Sequence, residues 1–327
     1  LGKLAPYFVI GMAQAHTLPR PPLYDDVIGE IRHTRVSAGD TLLDIARRHD
    51  LGQDEILLAN PAVDRWLPDA GTAILLPHRY IIPKAKRTGL ILNVPEMRLY
   101  YFPQPELGKL PVVITHPVSI GRMDWSTPLG NTHVVAKQRN PAWYPPRSLR
   151  KEAAASGDVL PAVVQPGPDN PLGRYAIRLA LPGYLIHGTN RPAGVGMRVS
   201  HGCVRMFPED IEFLFEHIRV DTPVRIINAP VKIGWDGDEL VMEVHPVLET
   251  ALPELSEAPA SAFWPLRGEC RPRWLSVRTR PGRSSISTAA TAASVISSMP
   301  TRKMAAWPCS TATLPRMAAS SRQPVST

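Results

Sequence analysis

Cysteine is scarce in this sequence: of 327 residues only Cys203, Cys270 and Cys309 carry a thiol, and two of these sit near the C-terminus. A disulfide framework is excluded for the body of the chain, which is left with one unpaired thiol. Long apolar runs are missing as well. None approaches the ~20 residues needed to span a bilayer, which excludes a membrane-spanning helix. Acidic residues are absent from Arg271 to Thr327, where nine basic residues stand. The formal charge of +8 therefore belongs to this end, because the first 270 residues hold 28 basic and 29 acidic side chains. A strongly basic surface for nucleic acid is thereby removed as a reading of the folded part, so its chemistry must be sought in local motifs. What is present is 44% hydrophobic residues, enough for a core, and 36 prolines, which imply many loops.

The two ends read differently from the middle. Lys3, the apolar stretch Leu4 to Met12 and Ala13-Gln14-Ala15 have the order of a short signal peptide with a small-x-small cleavage site over residues 1–15. The alternative is an ordinary apolar N-terminal strand. Residues 263–327 mix Ser, Thr, Ala, Pro and Arg without a sustained period of 3.6 or 2. Such a composition buries too little apolar surface to offset its ordering entropy, so the expectation is a disordered or out-of-frame tail.

Residues 33–78 read as a small α+β unit. Thr34-Arg35-Val36 is a short strand, Gly39-Asp40-Thr41 offers Asp40 or Thr41 as helix cap, and Leu42, Leu43, Ile45 and Ala46 form an apolar helix face. A second helix begins near Gln53 and stops at Asn60-Pro61, since proline disfavours a helical residue before it. Thr72 to Pro77 closes the unit as a strand, giving a βααβ order. From Gly89 the pattern becomes β: strands over 90–94, 97–102, 112–118, 132–136, 174–179, 184–187 and 222–227, with one convincing helix over 208–219. A long loop from Lys137 to Gly173 carries Trp143-Tyr144-Pro145-Pro146, either a lid or a plain apolar anchor. Asp236-Gly237 marks a further hairpin within a 229–262 extension.

One stretch concentrates reactive side chains. His187-Gly188-Thr189 ends a strand, and Ser200-His201-Gly202-Cys203-Val204-Arg205 follows shortly before the helix. A thiol attacks as thiolate, so it needs a base in reach or a positive surrounding. Two histidines upstream, Arg198 and Arg205 on either side and a helix N-terminus about five residues on all favour the anion. Gly202 leaves room for substrate, and a turn over Ser200 to Cys203 can aim successive N–H groups at one oxyanion. His187, His201 and Cys203 are also acceptable zinc ligands by type, although the spacing of closed zinc modules is missing. Gly194-Val195-Gly196 lacks the third glycine and the strand-turn-helix context of a dinucleotide fingerprint.

Taken together, His187-Gly188-Thr189 and Ser200-His201-Gly202-Cys203-Val204-Arg205 resemble the L,D-transpeptidase family with the YkuD-type catalytic domain, over residues 88–228. Pro166 to Gly173 and Ile186 to Asn190 resemble its Gram-negative periplasmic branch. Gly39-Asp40-Thr41-Leu42, Ala59-Asn60-Pro61 and Ile74-Leu75-Leu76-Pro77 resemble a LysM module, a family that binds N-acetylglucosamine chains; the alternative is a generic small α/β module. The resemblance implies a mainly β catalytic domain, a β-sandwich with one prominent helix, beside the α+β module. It implies Cys203 as nucleophile and His187 as general base, with Ser200, His201 and Gly202 shaping the loop and oxyanion site. Arg205, Gly188 and Thr189 would touch substrate. It implies no cofactor and no metal, and a periplasmic location. The partners would be peptidoglycan stem peptides and glycan strands, with a second stem or an envelope lipoprotein as acyl acceptor. Hydrolysis of the same bond by an L,D-carboxypeptidase, or a non-catalytic wall-binding protein, are the alternatives.

Overall fold

The computed structural model describes residues 16–21, 25–122, 126–246 and 273–278. The signal peptide expected over 1–15, and all of the expected tail except 273–278, lie outside the described residues. In chain order the elements are β1 (His16–Pro19), β2 (Val27–Arg35), α1 (Leu42–Arg48), α2 (Gln53–Ala59), β3 (Ala73–Ile81), β4 (Gly89–Asn93), β5 (Arg98–Phe102), β6 (Val112–Pro117), β7 (Ile120–Gly121) and β8 (Gly130–Arg139). There follow α3 (Arg147–Ala155), β9 (Tyr175–Leu179), β10 (Leu185–His187), β11 (Arg198–Ser200), β12 (Val204–Arg205), α4 (Pro208–His217), β13 (Pro223–Ile227), β14 (Val231–Asp236), β15 (Glu239–Val244) and β16 (Arg273–Arg278). Among these residues no helix is long and apolar enough to cross a membrane.

The βααβ unit forms as its local chemistry dictates. Thr41, not Asp40, is the cap of α1: its Oγ1 accepts from the Asp44 N–H at 3.1 Å while the Asp44 carboxylate accepts from the Thr41 N–H at 2.9 Å, a reciprocal capping box. Asn60 ends α2 and ties it to β3, donating to Ile56 O and Leu75 O at 2.9 Å each and accepting from the Leu75 N–H at 2.8 Å. Leu42, Ile45, Ala46, Leu51, Ile56, Ile74 and Leu76 pack between the helices and the strand pair. That pair is longer than the sequence suggests: β2 and β3 hold register from Val27↔Ile81 to Arg35↔Ala73. The added ladder carries Ile28 and Tyr80 into a core shared with β4, β5 and β6.

Eight strands beyond Gly89 join β1 in one nine-stranded sheet, ordered β1-β6-β5-β4-β13-β8-β9-β10-β12, while β7 pairs with β11 and β14, β15 and β16 form a separate three-stranded sheet. The expected sandwich of two facing sheets is replaced by this single sheet, whose strands contribute to one core closed by α4. Leu90-Ile91-Leu92 explains why both faces are covered: Leu90 and Leu92 enter the core under α4, and Ile91 enters the core shared with β2 and β3. Helix α4 starts with Pro208 at its first position and Glu209 and Asp210 in its first turn, and it buries Ile211, Leu214 and Phe215.

Three elements depart from expectation. The long loop contains α3, a short run of good helix formers that buries none of its residues. The β14–β15 hairpin is not peripheral: Lys232 and Glu243 are buried beneath it, and the Ile81 N–H donates to the Glu243 carboxylate at 2.7 Å. Residues 273–278, expected to be without structure, form β16, which pairs antiparallel with the open edge of β15 from Glu239↔Arg278 to Val244↔Arg273.

Candidate active site

The sheet brings the two halves of the motif side by side. Strand β10 pairs in parallel with β12, Ile186 opposite Val204 and His187 opposite Arg205, so Cys203 stands directly before the strand that flanks His187. His187 is 5% exposed and its Nδ1–H donates to Gly188 O at 2.6 Å. A carbonyl can only accept, so the proton sits on Nδ1 and Nε2 keeps its lone pair. Burial, reinforced by the nearby Arg205 charge and opposed by the Gly188 carbonyl, lowers the His187 pKa to about 4. The imidazole is therefore a neutral base across the physiological range.

Cys203 is partly exposed and its thiol lies 3.6 Å from Gly183 O. Burial pushes the thiol pKa up, and the Leu185 N–H and the Arg205 charge pull against it without winning. This corrects the expectation that the whole surrounding favours the anion. A protonated thiol and a neutral imidazole on adjoining strands near pH 7 fit general-base chemistry and not a preformed ion pair.

The loop around the thiol is tightly fixed. Ser200 Oγ donates to Cys203 O at 2.5 Å, Thr127 Oγ1 donates to Gly202 O at 3.0 Å, and Gly202 sits at φ +97°, where a side chain would be strained. Among the described residues no backbone carbonyl takes the Gly202 or Cys203 N–H, so both amides are available to an oxyanion. Arg205 exchanges backbone hydrogen bonds with Ser119 at 2.8 and 3.0 Å, while its buried Nε has no partner in the structure. His201 faces away toward α3, its Nε2 3.6 Å from the Glu152 carboxylate. Among the described residues His187, His201 and Cys203 do not converge as a ligand set, so the zinc alternative loses its geometry. Gly188 and Thr189 are occupied structurally. A Cβ on Gly188 would lie 3.1 Å from Ile211 Cγ2, and the Thr189 Oγ1 accepts from the Arg191 N–H at 2.9 Å.

Sequence reasoning missed two contributors. Glu152 on α3 pairs with Arg122 and His201, tying the long loop to the reactive one. The helix-forming run Arg147 to Ala155 was the available signal. Thr127 has no local signal; only the folded approach to Gly202 reveals it.

Residues 87–226 match the YkuD family, described as the L,D-transpeptidase catalytic domain. The probable L,D-transpeptidase YcfS of Escherichia coli (strain K12) is 42% identical over 240 residues, 71% of this chain and 73% of that protein. The chain belongs to the L,D-transpeptidase family. A second member, the probable L,D-transpeptidase YbiS of the same organism, is 40% identical over 253 residues, 75% of this chain and 81% of its own length. Among solved structures, L,D-transpeptidase 3 from Mycobacterium tuberculosis matches 66% of this chain and 100% of its own at 18% identity and a TM-score of 0.31. An enzyme of the L,D-transpeptidase class is the activity this membership gives.

Proposed function

We propose that this L,D-transpeptidase is exported to the periplasm and acts on peptidoglycan through Cys203 and His187. The observation that carries the residue assignment is the fixed tautomer of His187, whose Nε2 lone pair lies on the strand beside the one Cys203 opens. His187 takes the thiol proton as the sulfur adds to the carbonyl joining the L-centre of diaminopimelate to the terminal D-alanine of a tetrapeptide stem. The Gly202 and Cys203 amides hold the oxyanion. Collapse of the tetrahedral adduct breaks the C–N bond, the His187 proton goes to the departing D-alanine amine, and a thioester remains on Cys203. An acceptor amine, from a second stem or an envelope lipoprotein, then attacks the thioester, and the thiol regains its proton. The energy of the cleaved peptide bond is kept in the thioester, so the exchange needs no cofactor. Arg205, with its unpartnered buried Nε, supplies a charge for a stem carboxylate, while Ser200, His201, Gly188 and Thr189 hold the shape around it.

The βααβ unit is proposed to be a LysM module that engages glycan. Trp66 and Leu67, 58% and 85% exposed in the loop between α2 and β3, offer an apolar face for a sugar ring. Retention of the full chain on purified sacculi, reduced by Trp66→Ala, is the expected result; unchanged retention removes the glycan role from this loop. The catalytic assignment is tested with tetrapeptide muropeptides. Release of D-alanine with formation of cross-linked dimers is expected, abolished in Cys203→Ala. Tripeptides without dimers would assign hydrolysis instead, and equal turnover by Cys203→Ala would end the cysteine mechanism.

A further inference from the structure

The βααβ unit is more than a neighbour of the catalytic sheet. The first N–H groups of a helix have no partner inside it. In α2 two of them leave the unit altogether: the Gln53 N–H donates to Val195 O at 2.9 Å and the Asp54 N–H to Gly196 O at 3.1 Å. The two backbones meet without side chains between them. A Cβ on Gly196 would lie 2.2 Å from Gly52 Cα, and a Cβ on Gly52 would lie 2.9 Å from Gly196 Cα. Gly196 stands at φ +85°, so this backbone shape itself favours glycine. The segment so held runs from the tight turn at Pro192–Gly194 directly into β11, and three residues after β11 comes Cys203. From the other side, Ser119 Oγ donates to Gly194 O at 2.7 Å and the Ile120 N–H to Met197 O at 3.2 Å. Arg47 on α1 adds a bidentate clasp to Glu209 on α4, at 2.8 and 2.9 Å.

We infer that the start of α2 is a positioning element for the nucleophile: the Gln53 and Asp54 amides and the Gly52–Gly196 backbone contact set the segment that delivers Cys203. The inference rests on Cys203 as the reacting thiol. It gives the βααβ unit a role in turnover that is separate from any glycan binding.

Gln53 isolates the contact. It is the first residue of α2, where proline is tolerated because the N–H has no helical partner to lose, and Gly52 at φ −74°, ψ 157° is already in the region a residue before proline prefers. Gln53→Pro therefore keeps the helix and deletes the hydrogen bond to Val195 O; Gln53→Ala deletes the side chain and keeps it. Misplacement of reacting groups by a fraction of an ångström to 1 Å costs on the order of ten- to a hundredfold. The expected result is a kcat for D-alanine release lowered at least about tenfold in Gln53→Pro, with KM within about twofold and an altered pH profile for iodoacetamide alkylation of Cys203. Gln53→Ala, Gly194→Ala, where a Cβ meets open space, and Arg47→Met, which loosens the clasp without touching the segment, keep kcat and the alkylation profile. Gln53→Pro matching Gln53→Ala in both readouts overturns the inference, as does Arg47→Met reproducing the proline effect, which would make it a matter of docking strength. Should Gln53→Pro melt below the assay temperature, Gly52→Ala takes its place with the same expectation. Wild-type chain without Cys203-dependent turnover would instead refute the catalytic assignment, and the alkylation profiles still decide whether α2 positions the thiol.

Discussion

His187 and His116 are both withdrawn from solvent, and burial lowers each to a pKa of about 4. They are otherwise opposites. The ring of His187 is locked by the Gly188 carbonyl, which leaves Nε2 its lone pair, whereas neither ring nitrogen of His116 has a hydrogen-bond partner in the structure. His116 Nδ1 lies 3.3 Å from Asp210 Oδ1, in a cluster where Asp50 of the βααβ unit meets Asp210 of α4. Burial lifts both carboxyl groups, Asp210 to about 7, and a carboxylate oxygen of each lies within 4.8 Å of the other. A depressed histidine is thus no mark of catalysis by itself; the proposed base is set apart by its locked tautomer and its place on the strand beside the one that Cys203 precedes. The largest effect that tests this contrast is on turnover. His187→Ala is expected to lower kcat by about 10²–10⁴-fold, the usual worth of a positioned general base. His116→Asn is expected to stay within about threefold, and a loss equal to that of His187→Ala in the same D-alanine release assay would erase the distinction.

The seam cluster also contrasts with a second buried group of acids. Under the β14–β15 hairpin, Lys232 Nζ sits 2.8 Å from Glu96 and 3.0 Å from Glu243, and donates to Tyr100 Oη at 3.2 Å. Against the cost of burial, Lys232 and His245 hold Glu243 down to about 2. One cluster is neutralised by a lysine, the other by protons. Lys232→Met would take away the ammonium between two buried carboxylates and leave Glu96 without a cation, so unfolding in urea should show a loss of about 3–5 kcal/mol. Asp210→Asn, replacing a group that already holds its proton near neutrality, should cost clearly less. An equal loss in both would mean that the seam is ionised after all.

These two clusters mark where reading the sequence stops. The cap at Thr41, the helix end at Asn60-Pro61 and the hairpin at Asp236-Gly237 are decided by residues a few positions apart, so they were legible. So was the reactive loop, because Ser200 to Arg205 is contiguous and His187 lies at the end of a strand pattern. The direction of the Cys203 shift was not, since flanking arginines are visible in a sequence and burial is not. Nor was Asp50 beside Asp210, or Glu96 beside Lys232 and Glu243: each contact joins residues more than a hundred positions apart along the chain, and nothing local marks these charges as buried. The same holds for α2 reaching Val195 and Gly196, where the contact is made by backbone and carries no side-chain signature.

The smallest expected effect separates His116 from its acids by pH. Asp210 has a folded pKa near 7, above its unfolded value of 3.8, so between these limits the folded state binds more protons and stability falls as pH rises. His116 has a folded pKa near 4, below its unfolded 6.5, so over about pH 4 to 6.5 the folded state binds fewer protons and stability rises with pH. The two slopes oppose each other across that shared window, where His187, also lowered to about 4, adds a second rising slope. Above pH 6.5 the histidine term is spent, and the carboxyl pair alone lowers the melting temperature as the pH goes toward 8. Asp210→Asn removes one titrating partner and should flatten this alkaline fall, while His116→Asn removes one of the two rising slopes and should tilt the acid window downward relative to the wild type. Melting curves at half-unit steps from pH 4 to 8 read both slopes, with differences of a few degrees expected for a chain of this size. Parallel curves for wild type and both variants would show that the seam does not titrate in this range, and the burial of His116 would then need a partner that the protons do not supply.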